Sequence, residues 1–258
     1  MTQPKNRPDI KTATISNLHP PSVDTSSTVK MDSVEARIDN TLIVGPLSLT
    51  VSGGGITAIM GPNGAGKSWF LRLAHGLAAP SAGKITWGGR QVDKARPDQS
   101  FVFQQTKLLR RSVWANIEFP LRARGWSRAR REARTAEALS RARLIDRADD
   151  PAAALSGGEK QRMALARAWV TGPKVMLLDE PSANLDPAST AEIERLLREL
   201  SDEGIKILIA THDIGQAKRI ADDVLFFADG VLVEQAPTSK FLAAPKSIEA
   251  TRYLNGEL

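Results

Sequence analysis

The run Gly61-Pro62-Asn63-Gly64-Ala65-Gly66-Lys67-Ser68 has the spacing GxxxxGK[ST] of a phosphate-binding loop. Glycines let backbone N–H groups approach phosphate oxygens closely and take φ values that other residues avoid. A helix starting at the end of such a loop adds the positive end of its dipole. Lys67 supplies a fixed charge for the β- and γ-phosphates of ATP, and Ser68 a hydroxyl for Mg2+.

A carboxylate pair, Asp179-Glu180, closes the apolar run Val175–Leu178. In nucleotidases with a phosphate loop, an aspartate at the end of such a strand helps hold Mg2+. Glu180, one residue farther, could polarise an attacking water as general base. The structural alternative is a surface pair capping the helix after Pro181. Among three histidines, His19 lies near the N-terminus, and His75 falls on a helix where packing is the expected role. His212, just beyond an apolar strand, is the one placed for chemistry.

These groups need a scaffold, and the hydrophobic periodicity supplies one. Val34, Ala36 and Ile38 alternate from Met31 onward, and Leu47–Val51 alternates again. Ile56–Met60 reads as a short buried strand entering the phosphate loop, followed by a helix over 67–78 that buries Phe70, Leu71, Leu73 and Leu77. Strands are expected at 84–87, 100–103, 175–178, 206–210, 224–227 and 231–234, and helices at 188–200 and 213–221. Strands alternating with helices argue an α/β core with a mainly parallel sheet. Residues 112–124 and 127–143 read as helices, so 106–154 is expected to be a helical subdomain inserted into a core of 31–105 and 155–258. Residues 1–30, polar and rich in Pro, Ser, Thr and Lys, read as a disordered tail.

Composition bounds the class. The chain has 258 residues and no cysteine, which excludes disulfides and thiolate metal sites. No apolar run approaches the roughly 18–20 residues that span a bilayer. The net charge is +6. Between Thr106 and Arg147 there are 12 Lys/Arg and 4 Asp/Glu, a local excess of +8. Such a segment suits anionic lipid, an acidic partner surface or nucleic acid, or else is a solvated arginine-rich helix face.

The phosphate loop is followed by a second string, Leu155-Ser156-Gly157-Gly158-Glu159. Together they resemble the ATP-binding cassette family, over residues 31 to about 235. That resemblance implies a P-loop nucleotidase fold with an antiparallel β part on the N-terminal side and an inserted helical subdomain. Val102-Phe103-Gln104 is similar to the family's Q-loop, with Gln104 touching Mg2+ or the lytic water; Gln105 is one residue off that register. Leu155–Glu159 is similar to the signature motif, whose Ser156, Gly157 and Gly158 would grip the γ-phosphate bound by a second copy. Ser182-Ala183-Asn184-Leu185-Asp186 resembles the D-loop, with Asp186 at the dimer seam. Thr211-His212-Asp213 resembles the switch motif, with His212 hydrogen-bonded to the γ-phosphate and orienting Glu180.

The family reading implies hydrolysis of ATP by a head-to-tail homodimer on the cytoplasmic face of the inner membrane. The partners would be an integral membrane permease and, indirectly, an extracytoplasmic solute-binding protein, with no specific nucleic acid. The permease would dock on Gln104–Ser112, where Leu108 and Leu109 offer an apolar groove and Arg110 and Arg111 a charged rim. A subdomain hinge is the alternative use of that stretch. Phe103–Val113, Gly215–Arg219 and Asn255–Leu258 are similar to ATPases of tungstate importers, so the expected cargo is an oxyanion such as tungstate or molybdate. Phosphate and amino acids are the alternatives. No β-rich regulatory domain follows the core, so product sensing within the chain is not expected. A soluble cassette ATPase acting on DNA or ribosomes is the rival reading, and a small-molecule kinase would leave the signature string and His212 unexplained. One departure stands out: residues 1–68 contain no Phe, Trp or Tyr to stack on adenine, so an aliphatic side chain near Ile38–Leu42 is expected there, with GTP tolerated.

Overall fold

The structure, a computed structural model, describes residues 25–257. The tail reading of residues 1–24, His19 included, lies outside the described residues. The first strand, β1 (Val29–Ile38), begins two residues before Met31, and Val29 is fully buried, so the expected tail boundary at residue 30 is too late.

Two sheets form the core. β1 pairs antiparallel with β2 (Thr41–Val51) through a two-residue turn, Asp39-Asn40. Both turn residues have positive φ, 48° and 64°, as tight hairpins require. β3 (Ile56–Met60) leads into the phosphate loop, and α1 (Lys67–His75) leads out of it. β4 (Ala82–Trp87) and β5 (Arg90–Gln91) complete a four-stranded sheet of order β2-β1-β4-β5. After the short helix α2 (Val92–Ala95), β6 (Gln99–Val102) enters the second sheet.

Three helices then follow one another: α3 (Val113–Ala123), α4 (Arg128–Arg141) and α5 (Gly157–Trp169). The chain returns as β7 (Val175–Asp179), α6 (Pro187–Asp202), β8 (Lys206–Ala210), α7 (Ile214–Ile220), β9 (Asp223–Ala228) and β10 (Val231–Pro237). The second sheet has the order β10-β9-β3-β8-β7-β6 and is parallel except for β10. Two helices end the chain, α8 (Thr238–Ala243) and α9 (Ile248–Leu254), which the sequence reading did not anticipate.

Strands β3, β7 and β8 are buried at every residue, because both faces of this sheet are covered. Alternation along each strand divides the side chains. Ile59, Leu177 and Leu208 face α1 and the antiparallel sheet. Met60, Leu178 and Ile209 face the helical side. Each such side chain removed from water contributes about 1.5–3 kcal/mol. The strand ends that carry the site are thereby held against a rigid platform.

Helix α1 stops at Gly76, whose left-handed backbone (φ 79°) lets its N–H and that of Leu77 return to Leu73 and Arg72. Leu77, expected on the buried side of a longer helix, therefore lies past its end and is 43% exposed. His75 packs as expected: it is buried and edge-on to Phe101 at 5.6 Å, and burial pushes its pKa down to about 4.

Six arginines of the arginine-rich stretch form ion pairs within the chain. Arg128, Arg131 and Arg134 pair with Glu132, Glu118 and Glu137. Arg141, Arg143 and Arg147 pair with Glu203, Glu192 and Asp150. Arg130 stacks 3.6 Å from the Trp126 ring. Of these partners only Glu203, Glu192 and Asp150 lie outside residues 106–147, so ion pairing offsets part of the local excess of charge. No described helix is long and apolar enough to cross a membrane.

Candidate functional site

The phosphate loop needs its glycines for steric reasons visible in the backbone. Gly61 has φ 141°, and a Cβ there would lie 2.1 Å from the carbonyl oxygen of Phe227 on β9. At Gly66 (φ 98°) a Cβ would meet Val44 at 2.6 Å. Only glycine lets the loop lie this close to its neighbours in these conformations. Pro62, Asn63, Gly64 and Ala65 form the bend between them, closed by an Ala65 N–H to Pro62 carbonyl bond of 3.2 Å.

Lys67 reaches back across the loop, donating to the carbonyls of Gly61 at 2.7 Å and Pro62 at 3.0 Å. Burial lowers its pKa, while Glu180 and Asp179 oppose that shift. Ser68 Oγ donates to Asp179 Oδ1 at 2.8 Å, bridging the first turn of α1 to the tip of β7. Burial raises the Asp179 pKa against that hydrogen bond and the charge of Arg72.

Glu180 occupies the next position in a left-handed conformation, φ 46°, uncommon for a residue with a side chain. Its N–H is held by the Ala210 carbonyl at 3.0 Å. Backbone strain of this kind costs about 1–3 kcal/mol and persists where the surroundings enforce it. The result is a carboxylate approached from two sides. Gln104 Nε2 donates to Oε2 at 3.3 Å, and His212 Nδ1 stands 3.3 Å from Oε1. Gln104, two residues past β6, stands beside this carboxylate; the Q-loop reading gave it a contact to Mg2+ or the lytic water instead.

These residues surround a cleft of about 560 Å³, lined by the loop from Asn63 to Ser68 together with Gln104, Glu180 and His212. Trp69 and Arg72 also line it, although the sequence reading singled out neither. Their signal was helical spacing alone: α1 starts at Lys67, and residues 69 and 72 are three apart on one of its faces.

A cation site can be judged from its donors. Ser68 and Asp179 supply hard oxygens at one point, and Gln104, whose amide nitrogen faces Glu180, retains its carbonyl oxygen. No group of three or more His, Cys, Asp or Glu able to hold a metal occurs among the described residues. One carboxylate and one hydroxyl beside a phosphate loop suit Mg2+, which binds through one or two carboxylates plus substrate phosphates. The residues present fit the ion.

The signature string does not border this cleft. Ser156 caps α5 in a capping box: its Oγ accepts the Glu159 N–H at 3.3 Å, and Glu159 Oε2 accepts the Ser156 N–H at 2.8 Å. Ser156 and Gly157 are exposed, while Gly158 is buried where a Cβ would strike Ser189 of α6 at 2.3 Å. Asp186 caps α6, with Oδ1 accepting the Ser189 N–H at 2.9 Å and Oδ2 its hydroxyl at 2.6 Å; these bonds hold its pKa low. Thr106 donates to Gln161, tying the stretch after Gln104 to the helix that begins at the signature string.

The family model described as "ABC transporter" matches residues 44–183, which include the phosphate loop, Gln104, the signature string and Glu180. The chain belongs to the ABC transporter family. ATP-binding subunits of ABC transporters are ATPases coupled to transport. The methionine import ATP-binding protein MetN of Nocardia farcinica is 40% identical over 219 residues, covering 81% of this chain. This ABC chain spans 66% of the length of that relative. The phosphate import ATP-binding protein PstB 2 of Natronomonas pharaonis is 37% identical over 242 residues, with 87% of this chain and 85% of the relative covered. Among solved structures, cbiO1 of Clostridium perfringens, part of the ABC transporter complex cbiONQ, aligns with a TM-score of 0.78 at 31% identity, covering 89% of this chain and 95% of that one. The likeness to cbiO1 matches the mixed α/β P-loop nucleotidase fold with its parallel and antiparallel sheets.

Proposed function

We propose that this chain hydrolyses ATP and powers solute import through a separate membrane permease. The observation that carries the reading is the carboxylate of Glu180, approached at 3.3 Å by both Gln104 and His212 beside a phosphate loop. Backbone N–H groups from Gly61 to Ser68 and the start of α1 bind the β- and γ-phosphates, and Lys67 neutralises them. Glu180 takes a proton from the attacking water as general base. His212 holds the Glu180 carboxylate in place and reaches the γ-phosphate. Mg2+, held by Ser68, Asp179 and Gln104, supplies charge neutralisation at the phosphate oxygens when bound.

Ser156, Gly157 and Gly158 lie outside the cleft of their own chain, yet two of them are exposed at a helix N-terminus. This supports a head-to-tail dimer in which they close over the γ-phosphate held by a second copy, with Asp186 at the seam. ATP is then shared by two subunits, and its hydrolysis removes the shared ligand so that the dimer opens.

The permease docks at the exposed stretch after Gln104, where Lys107, Arg110 and Arg111 are exposed and Leu108 packs partly against the core. The chain sits peripherally on the cytoplasmic face of the inner membrane, and a solute-binding protein feeds the permease from outside. Ion pairing of most arginines in the helical segment weighs against the nucleic-acid reading.

Of the two importer relatives described above, one is named for methionine and one for phosphate, neither for tungstate. The oxyanion reading draws support from the phosphate relative. The amino-acid reading draws equal support from the methionine relative. Reconstitution with the cognate permease, assaying ATP-driven uptake of tungstate, phosphate and methionine, separates them. Loss of ATP turnover in Glu180→Gln, with nucleotide binding retained, tests the catalytic reading; full turnover in that variant would overturn it.

A further inference from the structure

Helix α9 reaches the backbone of His212 through one side chain. Tyr253, the single tyrosine of the chain, is 7% exposed. Its ring packs on Phe226 of β9 at 5.2 Å between centroids, and its hydroxyl donates to the backbone carbonyl of His212 at 3.0 Å. The same hydroxyl interacts with the backbone of Gly61, the first residue of the phosphate loop. Burial pushes its ionisation up to about 12, so the phenol remains a hydrogen-bond donor near neutral pH.

This contact falls where His212 has little else to fix it. The imidazole is 58% exposed and its side-chain partner is Glu180. Its neighbours are fixed by Thr211, whose N–H is held by Ile59 at 3.1 Å, and by the Asp213 N–H bonded to Thr211 Oγ1 at 3.1 Å. The His212 carbonyl is held by Tyr253. The helix bearing that tyrosine is itself anchored. Ser247 Oγ accepts the Ala250 N–H at 3.0 Å, and the buried Glu234 of β10 accepts the N–H groups of Lys246 at 2.8 Å and Ser247 at 3.4 Å.

We propose that Tyr253 is a positioning residue that fixes the backbone of His212 against the phosphate loop, making the C-terminal helix part of the hydrolytic apparatus. The proposal rests on the ATPase reading above. A partner that displaces α9 would withdraw His212 from Glu180 without touching the nucleotide, so the same contact gives the C-terminus a route to regulate turnover.

The test is Tyr253→Phe in the full chain, which deletes one oxygen and keeps the ring on Phe226. We expect kcat to fall about 3–10-fold with KM for Mg-ATP within about twofold, the split expected when an interaction used in the transition state is lost. Amide exchange at 211–213 and at Gly61 and Asn63 should accelerate in the nucleotide-free protein while β7 is unaffected. Leu200→Ala, a buried truncation on α6, lowers the melting temperature without approaching His212 and should keep kcat. An unchanged kcat in Tyr253→Phe overturns the proposal, as does an equal loss in Leu200→Ala. If the wild-type chain fails to turn over ATP, the ATPase reading falls. Exchange needs no turnover and judges the Tyr253 tie separately: unaccelerated exchange at 211–213 overturns it.

Discussion

The Nδ1 atom of His212 lies 3.3 Å from Oε1 of Glu180, although the two residues follow different strands, β8 and β7. Those strands pair in parallel with Asp179 opposite Ala210, so the register of the sheet delivers both groups to the same edge. Chemistry at this edge depends on two strand ends that cannot slide against each other.

His212→Ala should therefore lower kcat about 10²-fold while leaving ATP affinity nearly unchanged, within the range that positioned acid–base groups contribute. Gln104→Ala should cost less, because Gln104 touches the other oxygen of Glu180 and leaves the His212 contact intact. Steady-state hydrolysis and equilibrium nucleotide binding on the same preparations check both. An affinity loss as large as the rate loss in His212→Ala would point to binding rather than turnover.

His75 gives a pH signature. Its folded pKa is lowered to about 4 by burial, and Arg96 adds to the shift. The unfolded state, near 6.5, binds the proton more readily between those values. Stability is therefore lost as pH falls from about 6.5 toward 4, and the loss is in place below 4. His75→Phe should unfold with less dependence on pH across that window, in denaturant melts at pH 7, 5.5 and 4.5. Equal slopes for the two proteins would contradict the assignment.

Base selectivity should be weak. Ile38 and Leu42, flanking the β1–β2 turn, are 45% and 41% exposed. Neither lines the cleft, and an aliphatic contact to a purine would forgo roughly 0.5–1.5 kcal/mol of stacking. We expect kcat/KM for ATP and GTP to agree within about tenfold, and Leu42→Tyr to widen the gap. A strong ATP preference in the wild type would show that another group reads the base.

Sequence made the catalytic edge legible because each of its parts is local. The phosphate loop, the β7 carboxylates and His212 each follow a strand whose apolar run and boundary residue can be read within a few positions. Gln104 is marked instead by the resemblance of Val102-Phe103-Gln104 to the family's Q-loop. What escaped reading depends on distant contacts. Nothing near Tyr253 announces that α9 folds back onto His212, 41 positions away. Trp69 and Arg72 looked like any two residues on a helix until the cleft was closed around them. The basic segment suggested an external anion, yet its partners include Glu192 and Glu203 on a helix that follows it by about fifty residues. Helix α1 is shorter than its apolar periodicity predicts, because Gly76 takes a left-handed conformation that ends it.

The central claim is that ATP is held between two copies, the phosphate loop of one and Ser156 of the other. The most direct measurement is the mass in solution of Glu180→Gln, by light scattering, with and without saturating Mg-ATP. The account predicts a monomer that becomes a dimer on adding Mg-ATP, and a Glu180→Gln/Ser156→Arg protein that binds ATP yet stays monomeric. A Glu180→Gln protein that binds Mg-ATP and remains monomeric, or a dimer indifferent to Ser156→Arg, would contradict it.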